Sequence, residues 1–177
     1  SFATARAAIG VMAFAMLLPA QKAPKLGKPQ RHGIGLVYAV PKDWKVESGA
    51  EAVLFLPPGI TIDPEREDNP EVMLAELPEG LSGPEDPAIP DALKSRYAAE
   101  DAEPLREPLK EIFSTPGKPG AIYTLDFRKG SKNVRVRVFF VQSKGKLLSL
   151  PATGETARLT ARESALRAIA ASLDFAP

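Results

Sequence analysis

One histidine and no cysteine among 177 residues narrow the available chemistry before any fold is considered. Without cysteine there is no thiol nucleophile, no thiolate zinc site, no iron–sulfur cluster and no disulfide. His32 sits in a basic stretch rich in proline and glycine. A Ser-His-Asp arrangement needs its base held rigidly, so His32 is a poor candidate. Gly80-Leu-Ser-Gly83 lacks the Gly-x-Ser-x-Gly spacing of a nucleophile elbow. The acidic loop Asp63–Glu71 has no alternate-position Asp/Asn and no central glycine, so it reads as a solvated loop and not as a calcium loop. Glu76, Glu79, Glu85 and Asp86 are the carboxylates that a glycosidase-type acid/base pair would draw on, but nothing in their surroundings predicts a raised pKa. No catalytic, metal-binding or cofactor-binding residue is expected.

The other chemistry-bearing group is cationic. Arg128, Lys129, Lys132, Arg135 and Arg137 cluster around one predicted hairpin tip, with Asp126 the only acid nearby. Read functionally, they form an anion-facing patch, with Arg135 and Arg137 foremost because the guanidinium fork suits carboxylate and phosphate. Read structurally, they are a solvated strand end guarded against edge pairing. Trp44, the sole tryptophan, is expected to pack into the core at the domain entrance.

The elements that position these groups begin after residue 20. Arg6 precedes an uncharged run, Ala7–Ala20, too short to span a bilayer as a helix and ending on a small residue, the pattern of an export signal. Residues 1–20 are therefore expected to be a signal peptide, which leaves no transmembrane helix in the mature chain, and residues 21–33 a flexible basic tether. Residues 34–177 form one α+β domain, long enough to bury a core unaided. Its charge is uneven: residues 43–111 carry 18 acids and 6 bases, residues 112–177 carry 11 bases and 4 acids, and the whole chain is near neutral. That balance excludes non-specific nucleic-acid binding, which needs a basic field over the whole footprint.

Period-two patterning predicts a first strand over Ile34–Val40, a hairpin of Lys45–Ser48 with Ala52–Leu56, and a strand at Glu71–Leu77. A helix follows, opening near Asp86 or Pro90 and running to about Asp101. Strands are then expected at Leu109–Ser114, Ala121–Arg128, Val134–Gln142 and Leu147–Leu150, the last three as a meander. In it Thr124, Asp126 and Arg128 face solvent, and Asp126 neighbours Arg135 or Arg137, because a one-residue slip would bury the charges. Thr160–Glu163 reads as a capping box opening a terminal helix, with Leu166, Ile169, Ala170 and Leu173 on one stripe and Glu163–Arg167 an i,i+4 pair. Together these give an antiparallel sheet with helices packed on it.

A strand running into Pro41-x-x-Trp44, and a terminal helix closing on Ile169-x-x-Ser172-Leu173-x-Phe175, resemble the PsbP-like superfamily, which takes in bacterial envelope proteins of the DcrB and LpqN kinds. The resemblance implies an α/β/α sandwich and members that bind or assist other molecules without catalysis. The function expected is thus a non-catalytic exported binding or accessory protein of the bacterial cell envelope, periplasmic or secreted. Its partner would be a protein or an anionic envelope component, not nucleic acid. The alternatives are a small-ligand or lipid carrier with a pocket between sheet and helix, and a carboxylate-based envelope hydrolase.

Overall fold

The computed structural model describes residues 22–33, 35–63, 65, 70–113 and 115–177; the expected signal peptide, residues 1–20, lies outside them. The strands are β1 (Gln30–Arg31), β2 (Leu36–Tyr38), β3 (Lys45–Ser48), β4 (Ala52–Leu56), β5 (Val72–Glu76), β6 (Ala102–Pro104), β7 (Leu109–Ile112), β8 (Gly120–Lys129), β9 (Lys132–Ser143), β10 (Lys146–Glu155) and β11 (Asp174–Phe175). The helices are α1 (Ile89–Arg96), α2 (Thr156–Ala161) and α3 (Glu163–Ser172). The main sheet has the order β3-β4-β5-β10-β9-β8-β6, with β7 also on β8, and every pairing is antiparallel. A smaller sheet, β1-β2-β11, joins the two ends of the domain.

Side chains alternate across the main sheet and both faces are covered. On one face α1 packs Ile89 and Leu93 against Tyr123, Leu125, Phe127, Val136 and Phe140. On the other, Leu159 of α2 and Leu166, Ile169 and Ala170 of α3 pack against Ile122, Phe139, Val141 and Leu148, joined by Leu36, Tyr38 and Trp44. The layering is α/β/α. Double coverage explains why β8 is buried without a break from Gly120 to Phe127. Gly120 opens β8 between close neighbours: a Cβ there would lie 2.3 Å from the Phe113 carbonyl oxygen and 2.6 Å from that of Phe140. Trp44 is a core residue, as expected.

Several expectations need correction. Of the expected first strand Leu36–Tyr38 forms, while Ile34 lies outside the described residues and Ala39 and Val40 are not in the strand; the basic stretch before it is not wholly a tether: Gln30 and Arg31 pair with Tyr38 and Val37, and the Gly27 N–H donates to Val40 O at 2.8 Å. An extended chain supplies ladder hydrogen bonds whatever its side chains, so composition hid this pairing. Glu71 does not open β5 but precedes it with φ 55°. α1 stops at Arg96, because the chain must turn to lay β6 beside β8. The strand expected to end at Leu150 continues through Pro151 to Glu155. Thr153 O accepts from Glu71 N–H on the β5 side, so alternation points the missing Pro151 donor the same way. Pairing with β5 lapses there while pairing with β9 runs on.

The capping box is not formed. Thr160 lies inside α2, where its hydroxyl donates to Thr156 O at 2.8 Å, and Arg162 is the residue before α3. The apolar stripe beyond it holds: Leu166, Ile169, Ala170 and Leu173 are all buried. Thr124 and Asp126 do not face solvent but are 5% and 4% exposed, since the face they share with Ile122 is roofed by the start of α3 and the segment carrying Arg106.

Candidate binding surface at the hairpin tip

Gly130 and Ser131 turn β8 into β9 across the closing pair Lys129–Lys132. Gly130 has φ 61° and Ser131 is not in the left-handed region, the pattern of a type II′ turn with glycine first. The turn fixes the register Lys129–Lys132, Arg128–Asn133, Asp126–Arg135 and Thr124–Arg137. Residues opposite one another share a face. The five cations are therefore divided: Arg128, Arg135 and Arg137 lie on the α3 face, Lys129 and Lys132 on the α1 face.

Three of them remain at the surface. Lys129 pairs with Asp101 at 3.1 Å and Lys132 with Glu155 at 3.0 Å, all four side chains between 39% and 65% exposed. The Lys132 ammonium holds the Glu155 carboxyl below its ordinary range through its hydrogen bond and charge. Arg128 is exposed, opposite Glu103 of β6. Exposed pairs of this kind contribute about 0.2–1 kcal/mol and exchange readily for another partner.

The two arginines favoured from sequence are committed elsewhere. Arg135 donates Nε to Asp126 Oδ1 at 2.7 Å and Nη2 to Oδ2 at 3.2 Å, a two-pronged pair on a buried carboxylate. Arg137 is 9% exposed; it donates to Thr124 Oγ1 at 2.6 Å and to Glu163, and lies 5.6 Å from the Phe139 ring centre. Glu163 also binds Arg167 at 2.8 Å, the expected i,i+4 pair, and Arg167 reaches Glu111 at 2.6 Å. This is a ligated layer between sheet and helix, not an open patch.

The carboxylates considered for hydrolysis are dispersed among different partners. Glu76 binds Arg96 at 2.8 Å, Glu85 binds Lys110 at 3.1 Å and Glu79 is exposed. Asp86 accepts the Ser82 N–H at 2.9 Å, the Ala88 N–H at 2.8 Å and the Ser82 hydroxyl at 2.7 Å, and these bonds push its pKa down. A general acid needs the opposite shift. His32 Nε2 lies 2.6 Å from Gly49 O, among backbone groups. Among the described residues no three His, Cys, Asp or Glu side chains are placed to hold a metal ion, and no helix is long and apolar enough to cross a membrane.

Two features had no signal in the sequence reading. Glu71, 3% exposed, faces Arg162 at 3.3 Å and Arg158 at 3.9 Å, tying α2 and α3 to the start of β5. A cleft of about 310 Å3 opens beside β6, floored by Leu125 and Phe127 and rimmed by Lys94, Arg106 and Glu107. Both depend on residues brought together from distant parts of the chain.

No family model and no curated protein matches the chain. Solved structures do. The chain is similar to LpqN of Mycobacterium tuberculosis, described as involved in cell envelope biogenesis, with 19% identity over 85% of this chain and 90% of that one, at a TM-score of 0.50. It is similar to the cyanobacterial PsbP protein CyanoP of Synechocystis sp. PCC 6803, with 17% identity over 92% and 98% of the two chains and a TM-score of 0.49. PA94 of Pseudomonas aeruginosa, a protein of unknown function, gives 15% identity over 85% and 97%, at 0.45. The antiparallel sheet clasped by α1 on one face and by α2 and α3 on the other is an α+β fold that the chain shares with LpqN.

Proposed function

We propose that the chain is an exported, non-catalytic binding or accessory protein of the bacterial cell envelope, periplasmic or secreted, which contacts an anionic partner through the β8–β9 tip. The observation that carries the reading is the state of the tip cations. Arg128, Lys129 and Lys132 are surface groups held by nothing stronger than exposed pairs, on a hairpin anchored at its base by the buried Asp126–Arg135 pair. A rigid stem presenting exchangeable cations suits an acidic surface. Export is supported by the Ala7–Ala20 run, and an envelope role by the likeness to LpqN, which is involved in cell envelope biogenesis. Arg135 and Arg137 serve the stem and not the contact.

Sedimentation of the purified chain with a washed envelope fraction across a salt series tests this. Co-sedimentation that falls steeply as salt rises supports the reading, because exposed charge contacts are screened. Binding indifferent to salt, or none at low salt, overturns it.

A further inference from the structure

The stretch expected to be a flexible basic tether is laid down as an ordered arm. Before β1, Leu26 bridges to Pro41 and the Gly27 N–H bonds Val40 O at 2.8 Å, so residues 26–31 run beside β2 and the segment that follows it. Lys22, Lys25, Lys28 and Arg31 recur at every third residue of this arm, and all four are exposed. On an extended chain that spacing sets neighbouring cations about 9 Å apart, close to one screening length at physiological salt. They add their charges toward a surface while repelling one another little.

The arm differs from the rest of the molecule in having no partners for its charges. Among the described residues, every lysine and arginine after Lys45 except Arg128 is held by a carboxylate, a backbone carbonyl or an aromatic ring. Among the same residues, neither the four arm cations nor Lys42 has an ion pair or a side-chain hydrogen bond. Continued one residue outward from the Leu26–Pro41 bridge, the register sets Lys25 opposite Lys42. Like charges directly opposed on paired segments are destabilising. The only acid between residues 22 and 45 is Asp43. Folding gains nothing from this arrangement, whereas an external negative charge would relieve it.

Residue type and position specify that charge. Four of the five cations are lysines, compact hydrated charges suited to a diffuse anionic surface and not to a two-pronged grip on one carboxylate or phosphate. They are strung along an edge and do not converge on a point. Lys22 stands two residues after Ala20, the end of the apolar run, so the chain itself delivers the arm to a bilayer surface. Basic clusters of this size beside an apolar segment are drawn to anionic headgroups.

We infer that Lys22, Lys25, Lys28, Arg31 and Lys42 dock the chain on a bilayer through anionic lipid headgroups. The inference uses none of the tip cations. Asp174 of β11 meets Ser143 and Lys144 at the end of β9 far from the tip, and β2 ties β11 to β1. The 12 residues of β9 separate the two surfaces by roughly 35 Å, so a chain docked by its arm leaves the tip free. Contact without an inserted apolar group is marginal and reversible, so quantitative retention on an envelope fraction still turns on the tip.

Flotation of the intact chain with lipid in excess tests this. The vesicles are phosphatidylcholine alone, or equal parts phosphatidylcholine and phosphatidylglycerol. The apolar run contributes alike to both, so the excess on the anionic vesicles reads the arm. That excess is about a hundredfold or more at low salt, and it vanishes at about 1 M salt, where charges are screened within about 3 Å. The variant Lys22→Gln, Lys25→Gln, Lys28→Gln, Arg31→Gln, Lys42→Gln loses the excess, with a thermal melt to establish that it is folded. Lys25→Gln with Lys42→Gln, which relieves a repulsion, cuts the excess about tenfold and decides the matter if the larger variant does not fold. The tip variant Arg128→Glu, Lys129→Glu, Lys132→Glu keeps the excess, which separates failure of the arm from failure of the tip. No excess on anionic vesicles, full excess in a folded arm variant, or its loss in the tip variant overturns the inference. Capture by polyglutamate without the vesicle excess also overturns it, and assigns the arm an acidic polypeptide instead.

Discussion

Ser172 accepts the Ala39 amide hydrogen bond at 2.9 Å across 133 residues of sequence, and its own hydroxyl reaches Ile169 O at 2.6 Å. Val37 pairs with Asp174 and Leu36 with Phe175, so Ser172, the last residue of α3, occupies the register position opposite Ala39. The hydroxyl stands in for a strand backbone that is not there. It joins the two ends of the domain, Pro41-x-x-Trp44 and Ser172-Leu173-x-Phe175.

Ser172→Ala should leave the buried Ala39 amide without its partner and cost about 1–2 kcal/mol. Urea unfolding should show a lower midpoint at unchanged slope. An unmoved midpoint would remove Ser172 from the account.

Arg137 and Arg128 lie on the same face of the same hairpin, yet they should behave oppositely. Arg137→Ala leaves Thr124 and part of Glu163 unsatisfied inside the layer, and should cost about 2–3 kcal/mol, moderated because Arg167 still holds Glu163. Arg128→Ala should stay within about 0.5 kcal/mol of the parent, as surface substitutions do. Equal effects from the two would contradict the division between stem and tip.

Asp174 should shape the acid limb of stability. The Ser143 hydroxyl does most to hold its carboxyl below the ordinary range; burial, the next largest effect, opposes it, and the Phe175 N–H at 2.7 Å and the nearby Lys144 and Lys118 add smaller lowering contributions. A carboxyl depressed in the folded state contributes stability that is present above its unfolded value of about 4 and is lost as pH falls through the folded value. Asp174→Asn should flatten the decline of urea midpoint below about pH 4. A decline as steep as the parent's would count against these contacts.

What the sequence made legible was local. The hairpin of β3 and β4, the terminal apolar stripe and the Asp126–Arg135 neighbour relation all follow from alternation or helical spacing within a few residues. The failures share a cause, which is information held by partners far along the chain. Thr124 and Asp126 look solvent-facing until α3 is placed over them. Pro151 looks like a strand end until its missing donor is seen to fall on one side of a strand that pairs on both. Arg135 and Arg137 look like an open anion site because their spacing is visible while Glu163, brought back over the sheet by α3, is not. The bulge at residues 105–108 is a difference between two registers, and no single segment carries it.

The most direct test of the account is charge reversal at the tip alone. The triple variant Arg128→Glu, Lys129→Glu, Lys132→Glu removes the three surface cations and spares the Asp126–Arg135 stem, so it should melt near the parent temperature. Quantitative retention on a washed envelope fraction at low salt is the readout. The account predicts that retention of the triple variant falls to the level the parent shows at high salt. Retention equal to the parent's at low salt, from a folded triple variant, would contradict it.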